Sequence, residues 1–205
     1  MLKYYLNLIL FIIMNYLAHL FLSDGTPESL IGNLLGDFAK GSIENIYSLK
    51  IIEGIYLHRK IDSFTDSHPI FRSSKRLIGL DRRRFSGIMI DVFYDHFLAK
   101  NWSKYSCIPL ADFTNHVYQV LQEHKKILPD KLKNILPDMI AHDWLASYRE
   151  ISAIDRAING LSRRIKRKNN LFGGVEELFL NYQQIQSDFS EFFPELIDYT
   201  LTISS

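Results

Sequence analysis

The chain has 205 residues, of which 47% are hydrophobic and 23% are charged, and this ordinary globular composition excludes disordered and fibrous proteins. Its 24 Lys and Arg residues nearly balance 23 Asp and Glu residues, and the net charge of +1 argues against the overall positive field of a non-specific nucleic-acid binder. The only cysteine, Cys107, excludes disulfides and cysteine-based zinc or redox sites. We therefore expect a single domain in a reducing compartment, the cytoplasm.

The first 22 residues are mostly apolar and raise the question of a membrane segment. The longest uncharged run, from Tyr4 to Ala18, is shorter than the roughly 20 residues that a spanning helix needs, and no signal-peptide cleavage pattern follows it. We therefore predict an N-terminal extension at residues 1–13, which need not be translated, and a folded domain at residues 14–205. A true membrane anchor is the alternative.

Helix signals dominate the rest of the chain, beginning with Thr26 as an N-cap, Pro27 at the first helical position and Gly41 as a terminating glycine. No alternating strand pattern, Asn-Gly hairpin or repeat occurs. The main predicted helices run from Pro27 to Lys40, Leu49 to Phe64, Asp81 to Lys100, Pro109 to Ile127, Ser152 to Lys168 and Val175 to Phe193. The sequence thus predicts an all-α, single-domain helical bundle of seven to nine helices.

Several ionisable residues lie on the apolar faces of these helices. Asp37 continues the face of Leu30 and Leu34, and His58 and Asp62 lie one turn apart on the buried side of the next predicted helix. An imidazole and a carboxylate at this spacing can reach one metal ion.

Three further ionisable residues lie in a predicted helix that is apolar nearly all round. Asp91, Asp95 and His96 stand among residues such as Met89 and Phe97, which leaves them little access to water. His19 is similarly placed between Ala18 and Leu20.

A metal ion explains these buried charges best. Burying an unpaired carboxylate costs several kcal/mol, whereas a domain is stable by only about 5 to 15 kcal/mol. Arg59 and the arginines at 82–84 could neutralise some of the carboxylates, but a divalent cation held by facing helices would satisfy the whole set. Mixed imidazole and carboxylate ligands suit Mn, Fe or Zn better than Ca.

Each residue also has a structural interpretation. His19 alone is more typical of a hydrogen-bonded core histidine than of a ligand, and His58 with Asp62 could be a plain ion pair. Asp66 could simply end a helix. We interpret the dipeptide His142-Asp143, which is typical of one class of hydrolases, as polar surface near Trp144.

The same residues carry a resemblance that runs from Met14 to about Phe193. The chain resembles the bacterial acyl-carrier-protein phosphodiesterases, a family related to the HD-type metal phosphohydrolases. The motifs that carry this resemblance are Asn15-Tyr16-Leu17-Ala18-His19-Leu20, Gly32-Asn33-Leu34-Leu35-Gly36-Asp37-Phe38, His58-Arg59-x-Ile61-Asp62, Asp91-x-x-x-Asp95-His96-Phe97-Leu98, Trp144-Leu145-x-x-Tyr148-Arg149 and Gly160-Leu161-Ser162-Arg163-Arg164. One departure from the HD enzymes is the order Asp95-His96, where those enzymes have His-Asp.

The resemblance implies hydrolysis of the phosphodiester that joins 4′-phosphopantetheine to a serine of holo-acyl carrier protein, by water activated on a divalent metal. Mn²⁺ is the expected ion, with Fe²⁺, Mg²⁺ or Zn²⁺ possible. We assign Asp37, His58, Asp62 and Asp95 to the metal, and Arg59, His96 and His19 to catalysis, with Arg59 as a phosphate clamp. The carrier is acidic, and its expected docking residues are Arg82, Arg83, Arg84, Arg163 and Arg164.

Two rival functions share much of this pattern. A metal phosphohydrolase acting on a nucleotide or another small phosphoester would use every inward residue. A non-catalytic helical module could bind nucleic acid through the basic run 163–168, but the buried carboxylates argue against it. We therefore expect no nucleic-acid partner.

Overall fold

The computed structural model describes residues 16–39, 41, 43–166 and 168–204, and every regular element in these ranges is helical. The all-α prediction is thus confirmed, and the predicted extension at residues 1–13 lies outside the described residues. The α-helices are α1 (Tyr16–Phe21), α2 (Pro27–Leu35), α3 (Leu49–Ser67), α4 (Pro69–Leu77), α5 (Ser86–Lys100), α6 (Leu110–Glu123), α7 (Asp130–Ala141), α8 (Trp144–Ser147), α9 (Ile151–Arg164), α10 (Val175–Leu180) and α11 (Tyr182–Ser204). Short 3₁₀ turns cover Arg83–Phe85, Trp102–Lys104 and Lys125–Ile127.

The described part of the chain has more helices than the sequence predicts, because several predicted helices are interrupted. Eleven α-helices lie within the described ranges, more than the seven to nine expected. The predicted helix from Asp81 begins as a 3₁₀ turn, and the one from Val175 is divided at Asn181, whose side chain donates to the carbonyls of Leu77 and Glu177. Apolar periodicity continues across such breaks, so it does not reveal them.

Helix α2 begins as predicted but ends early. The Thr26 hydroxyl accepts a hydrogen bond from the amide of Ser29 and Pro27 occupies the first turn, as expected. The last helical residue is Leu35, whose carbonyl accepts from the amides of Phe38 and Ala39 in a tight turn. The prediction of a helix to Lys40 was therefore wrong in its described part, and Asp37 lies in the turn rather than in the helix.

Helix α5 lies at the centre of the packing. It contacts α1, α4, α9 and α11, and most of its side chains are buried on all sides, including Phe93 and Phe97. This explains why its sequence is apolar nearly all round.

The closest helix pair in the described part of the chain is α2 with α3. Gly32 and Gly54 face each other where they cross, and a Cβ on Gly32 would lie 2.4 Å from the Ile51 carbonyl oxygen and 2.7 Å from the Gly54 Cα. The two backbones therefore touch, and only glycine fits at Gly32. This contact brings the end of α2 beside the second half of α3.

None of the described helices is both long and apolar enough to cross a lipid bilayer.

Candidate metal centre

Helix α1 is held in place by a buried carboxylate from α5. The Asp95 side chain, with no exposed surface, accepts hydrogen bonds from the amides of Leu17 (3.1 Å) and Ala18 (2.9 Å). These amides lie in the first turn of α1, where a helix has unsatisfied donors and a partial positive charge. Burial raises the pKa of Asp95 to about 7, although the two amide hydrogen bonds oppose this shift. Asp95 therefore fixes the position of the turn that carries His19.

A glycine also allows close packing between the end of α2 and His58, as Gly32 does at the helix crossing beside it. A Cβ placed on Gly36 would lie 2.1 Å from Cγ and 2.3 Å from Cδ2 of the His58 imidazole. Gly36 has ordinary helical dihedral angles, so close approach, rather than conformational freedom, explains the glycine. Because Gly36 leaves this space, the imidazole packs against the chain beside Asp37.

Four side chains from three elements meet at this point. The Nε2 atom of His58 lies 3.2 Å from Oδ2 of Asp62 and 3.5 Å from Oδ1 of Asp37, and the Nε2 atom of His19 lies 3.2 Å from Oδ1 of Asp62. His19 and His58 stack with ring centroids 3.8 Å apart. Both imidazoles and Asp37 are buried, whereas 39% of the Asp62 side chain remains exposed. The cluster is therefore open to solvent through Asp62.

The donor atoms of this cluster fit a metal ion. Ligand atoms of His19, His58 and Asp62 lie within 4.8 Å of one another. Although the nitrogen-to-oxygen distances are short, none of the four buried ring nitrogens, nor Oδ2 of Asp37, has an aligned hydrogen-bond partner among the described residues. Buried polar atoms are normally satisfied, and a cation bound between these side chains would satisfy them. Two imidazoles and a carboxylate suit Mn, Fe or Zn.

The protonation of the cluster follows from burial and from its mixed charges. Burial alone would lower the pKa of His58, but the carboxylates of Asp37 and Asp62 raise it to about 10. Burial, and then the charge on His58, lower the pKa of His19. Burial alone would raise the pKa of Asp62, but the two histidines bring it far below its usual range. Without metal, His58 therefore holds the positive charge that a cation would replace.

Asp91 lies near this cluster, one turn before Asp95 on α5. Burial raises its pKa well above the usual range, and the carboxylates of Asp62, Asp66 and Asp95 raise it further. The field around the cluster is thus negative, which favours a cation.

His96, predicted to be catalytic, lies among other partners. Its Nδ1 is 2.9 Å from the Tyr148 carbonyl oxygen, and its Nε2 is 3.0 Å from the Tyr182 hydroxyl, which also accepts from Lys100. Both ring nitrogens are thus engaged. The structure does not bring His96 or the carboxylate of Asp95 into the group formed by His19, Asp37, His58 and Asp62.

Arg59, the predicted phosphate clamp, follows His58 directly. Its exposed guanidinium donates to the Ala39 carbonyl (3.3 Å) and lies 5.5 Å from the centre of the Tyr56 ring. It therefore stands at the surface beside the turn that carries Asp37.

The predicted docking arginines fall into two groups. The guanidinium of Arg82 donates to the carbonyls of Asn170 and Phe172 and to Glu177, and that of Arg83 donates to the carbonyls of Ile78 and Arg76. Arg82 thus joins the 3₁₀ turn to the segment that leads into α10, whereas Arg83, although exposed, binds the end of α4. The remaining three, Arg84, Arg163 and Arg164, are exposed.

The His142-Asp143 dipeptide has a structural role. Asp143 has a left-handed backbone (φ 41°), caps α8 by accepting from the Ala146 amide, and accepts from the Tyr118 hydroxyl. His142 is exposed. As expected, His142 is at the surface, whereas Asp143 is partly buried.

Sequence comparison identifies the family of the chain. Residues 14–196 match the family model described as acyl carrier protein phosphodiesterase. The chain belongs to this family. It is 32% identical over 188 residues to the acyl carrier protein phosphodiesterase of Photorhabdus laumondii, covering 90% of this chain and 94% of the relative. The proteins of the same name from Yersinia enterocolitica and Enterobacter sp. are each 33% identical, covering 90% of this chain and 96% of each relative.

No solved structure matches the chain. The family resemblance predicted from the motifs is thus confirmed by sequence, while the HD-like character stays a prediction.

Two features of the site escaped sequence analysis. The spacing of Gly32 and Gly36, one turn apart, is a visible sign of a close helix contact, but the sequence does not say which helix approaches. The role of Asp95 as a helix cap depends on a contact across 77 residues, which no local pattern predicts.

Proposed function

We propose that the protein is a metal-dependent phosphodiester hydrolase that removes 4′-phosphopantetheine from holo-acyl carrier protein and releases the apo form. The observation that carries the proposal is the cluster of His19, His58 and Asp62, whose ring nitrogens are buried without aligned partners. Membership of the family, whose relatives carry the name acyl carrier protein phosphodiesterase, supports the substrate.

The metal would be held by His19, His58 and Asp62, with Asp37 as a further oxygen ligand beside His58. This departs from the ligand set expected from the sequence, since His19 joins the ligands and Asp95 positions α1. When bound, a divalent metal supplies Lewis acidity that activates water and stabilises charge on phosphoryl oxygens. We keep Mn²⁺ as the proposed ion.

The residues of the chain orient the diester. The exposed side of Asp62 leaves the cluster accessible to a phosphodiester from solvent. The Arg59 guanidinium, at the surface beside Ala39 in the turn that carries Asp37, would bind a non-bridging oxygen and hold the diester in one orientation. Since both nitrogens of His96 are engaged by Tyr148 and Tyr182, we assign His96 to support of α5 rather than to proton transfer.

The carrier is a protein substrate, and we propose that it docks through the exposed arginines Arg84, Arg163 and Arg164. An acidic carrier would be steered by such charges, which act mainly on encounter. The predicted location in the cytoplasm is kept as part of this proposal.

The test is incubation of the full chain with holo-acyl carrier protein and Mn²⁺, with mass spectrometry of the carrier. We expect loss of the phosphopantetheine mass, abolition by chelator, and restoration by Mn²⁺. A His58→Asn variant should lose metal and turnover together while keeping its helical circular dichroism.

Water enriched in heavy oxygen identifies the bond that breaks. Label in the phosphate of released phosphopantetheine is expected, and label in the carrier serine would contradict attack at phosphorus. Hydrolysis of nucleotides with the carrier left intact would instead favour the nucleotide phosphohydrolase.

A further inference from the structure

A second feature of the molecule is a cleft of about 430 Å³ beside α8 and α9, which the proposed chemistry does not use. Its walls include the aromatic side chains of Trp144 and Tyr148, and the arginines Arg156 and Arg164 also line it. The small residue Ala157 lies between these arginines along α9 and leaves the cleft open. Its volume falls within the range typical of small-molecule sites.

The cleft combines aromatic rings with hydrogen-bond donors, and the Asp138 carboxylate also lines it. Trp144 is half-buried and offers an apolar ring, while Arg156 and Arg164 are exposed. Within the described part of the chain, neither arginine forms a salt bridge, so both can donate to a ligand. Aromatic walls with a few well-placed donors are the usual composition of such sites.

Residues of α1 connect the cleft to the metal centre. Tyr16 is buried, and it lies three residues before His19, on the same side of α1. Burial raises the pKa of Tyr16 well above its usual range, Asp37 and Tyr148 raise it further, and Arg164 opposes them. Tyr16 therefore lies within electrostatic reach of Asp37 in the cluster and of Tyr148 and Arg164 in the cleft.

The backbone of the cleft is also tied to α5. The Tyr148 carbonyl accepts from His96, the neighbour of the residue that caps α1. Neighbouring residues of α5 thus support both the cleft and the α1 turn that carries His19.

We propose that the cleft binds the pantetheine arm of the carrier while its phosphodiester lies at the metal centre. This inference rests on the proposed function. The arm is an uncharged chain with two amides and a dimethyl group, so its dimethyl group would pack on Trp144 and Tyr148. Its amide oxygens would accept from Arg156 and Arg164.

Binding of the arm can be measured without turnover, using pantetheine, which lacks the phosphodiester. Pantetheine should saturate the wild-type protein in calorimetry, with or without Mn²⁺, and should change the fluorescence of Trp144. Arg164→Met should weaken this binding about tenfold or more, the usual effect of losing a charge-assisted hydrogen bond. The matched control is Arg149→Met, because Arg149 is an exposed arginine that follows Tyr148 but does not line the cleft.

A second variant, Ala157→Leu, tests the cleft without changing a charge. Ala157→Leu should fill the cleft and weaken pantetheine binding, and circular dichroism would verify that the helices remain. In turnover of holo-carrier, both variants should raise KM more than they lower kcat.

The outcomes separate this inference from the proposed function. A protein that binds pantetheine through Arg164 but leaves holo-carrier intact would contradict the proposed function alone. One that cleaves holo-carrier, with Arg164→Met and Arg149→Met giving equal pantetheine affinity, would overturn the cleft assignment alone. Binding of adenosine monophosphate in the cleft with no binding of pantetheine would also overturn it.

Discussion

Replacing Gly36 by alanine should disable the metal centre although Gly36 itself binds nothing. The added Cβ would lie 2.1 Å from Cγ, 2.3 Å from Cδ2 and 2.6 Å from Cβ of His58. Carbon atoms prefer to be about 3.5 to 4.0 Å apart, so the imidazole must move by more than about 1 Å. Metal–ligand distances tolerate deviations of only about 0.2 Å. The ring cannot both avoid alanine and keep its place as a ligand.

The expected magnitudes follow from this contact. Overpacking of a core costs about 1 to 3 kcal/mol, and replacing a helical glycine by alanine returns about 0.5 to 1 kcal/mol. Gly36→Ala should therefore lower the free energy of unfolding by up to about 2.5 kcal/mol. Because even residues that only support a ligand cost about 10- to 100-fold in metal affinity when mutated, displacement of His58 itself should cost at least about 100-fold.

Calorimetric titration with Mn²⁺ and thermal unfolding would measure both effects. Gly87→Ala is the matched control, because its Cβ would meet only Cδ of Lys75 at 3.9 Å, in the first turn of α5. That variant should be slightly more stable than the wild type and bind Mn²⁺ equally well. Wild-type stability and Mn²⁺ affinity in Gly36→Ala would refute the argument that close packing positions His58.

Four further predictions concern charge. In the metal-free protein the pKa of His58 is about 10, against 6.5 when unperturbed, so the folded state holds this proton more tightly than the unfolded state does. The protonated His58 therefore stabilises the fold fully below pH 6.5, and this stabilisation is lost as the pH rises to 10. The melting temperature of metal-free wild type should therefore fall across that window and that of His58→Gln should fall less; equal slopes would contradict the assignment. Asp95→Ala should leave two buried amides of α1 without a hydrogen-bond partner, at a cost in stability of about 1 to 3 kcal/mol each, and should lower both the melting temperature and the affinity for Mn²⁺. Unchanged metal content would show that the metal centre does not need these two hydrogen bonds. Asp91→Asn should raise the melting temperature of the metal-free protein, because burial and the neighbouring carboxylates penalise the charge of Asp91, and Mn²⁺ should reduce this gain. A lower melting temperature of the variant without metal would contradict this penalty on the Asp91 charge. Arg82→Glu should destabilise the protein by breaking its contacts with the 170–177 segment, whereas Arg84→Glu should raise KM for the carrier with little change in melting temperature; the opposite pattern would move the docking surface to Arg82.

The inward positions of the ionisable residues could be predicted because helical periodicity is local. Spacing alone placed His58 and Asp95 among apolar neighbours, and both are buried. Asp37 is buried as well, but it lies in the turn after α2, so helical spacing does not explain its position. Spacing did not separate ligands from supporting residues, because a buried carboxylate can be satisfied either by a cation or by amides at a helix terminus. Asp95 meets the first turn of α1, whereas Asp62 meets two imidazoles, and this difference depends on contacts between distant segments.

The sequence by itself determined the helical class, the capped start of α2 and the one-turn spacing of His58 and Asp62, since each depends on residues within a few positions of one another. Tertiary structure alone decided that His19 stacks on His58, and that the guanidinium of Arg82 is engaged by the 170–177 segment. The physical reason is that helix packing is set by side-chain volume and by close backbone approach, as where Gly32 touches α3. A one-dimensional pattern records which face of a helix is buried, but not which partner that face meets.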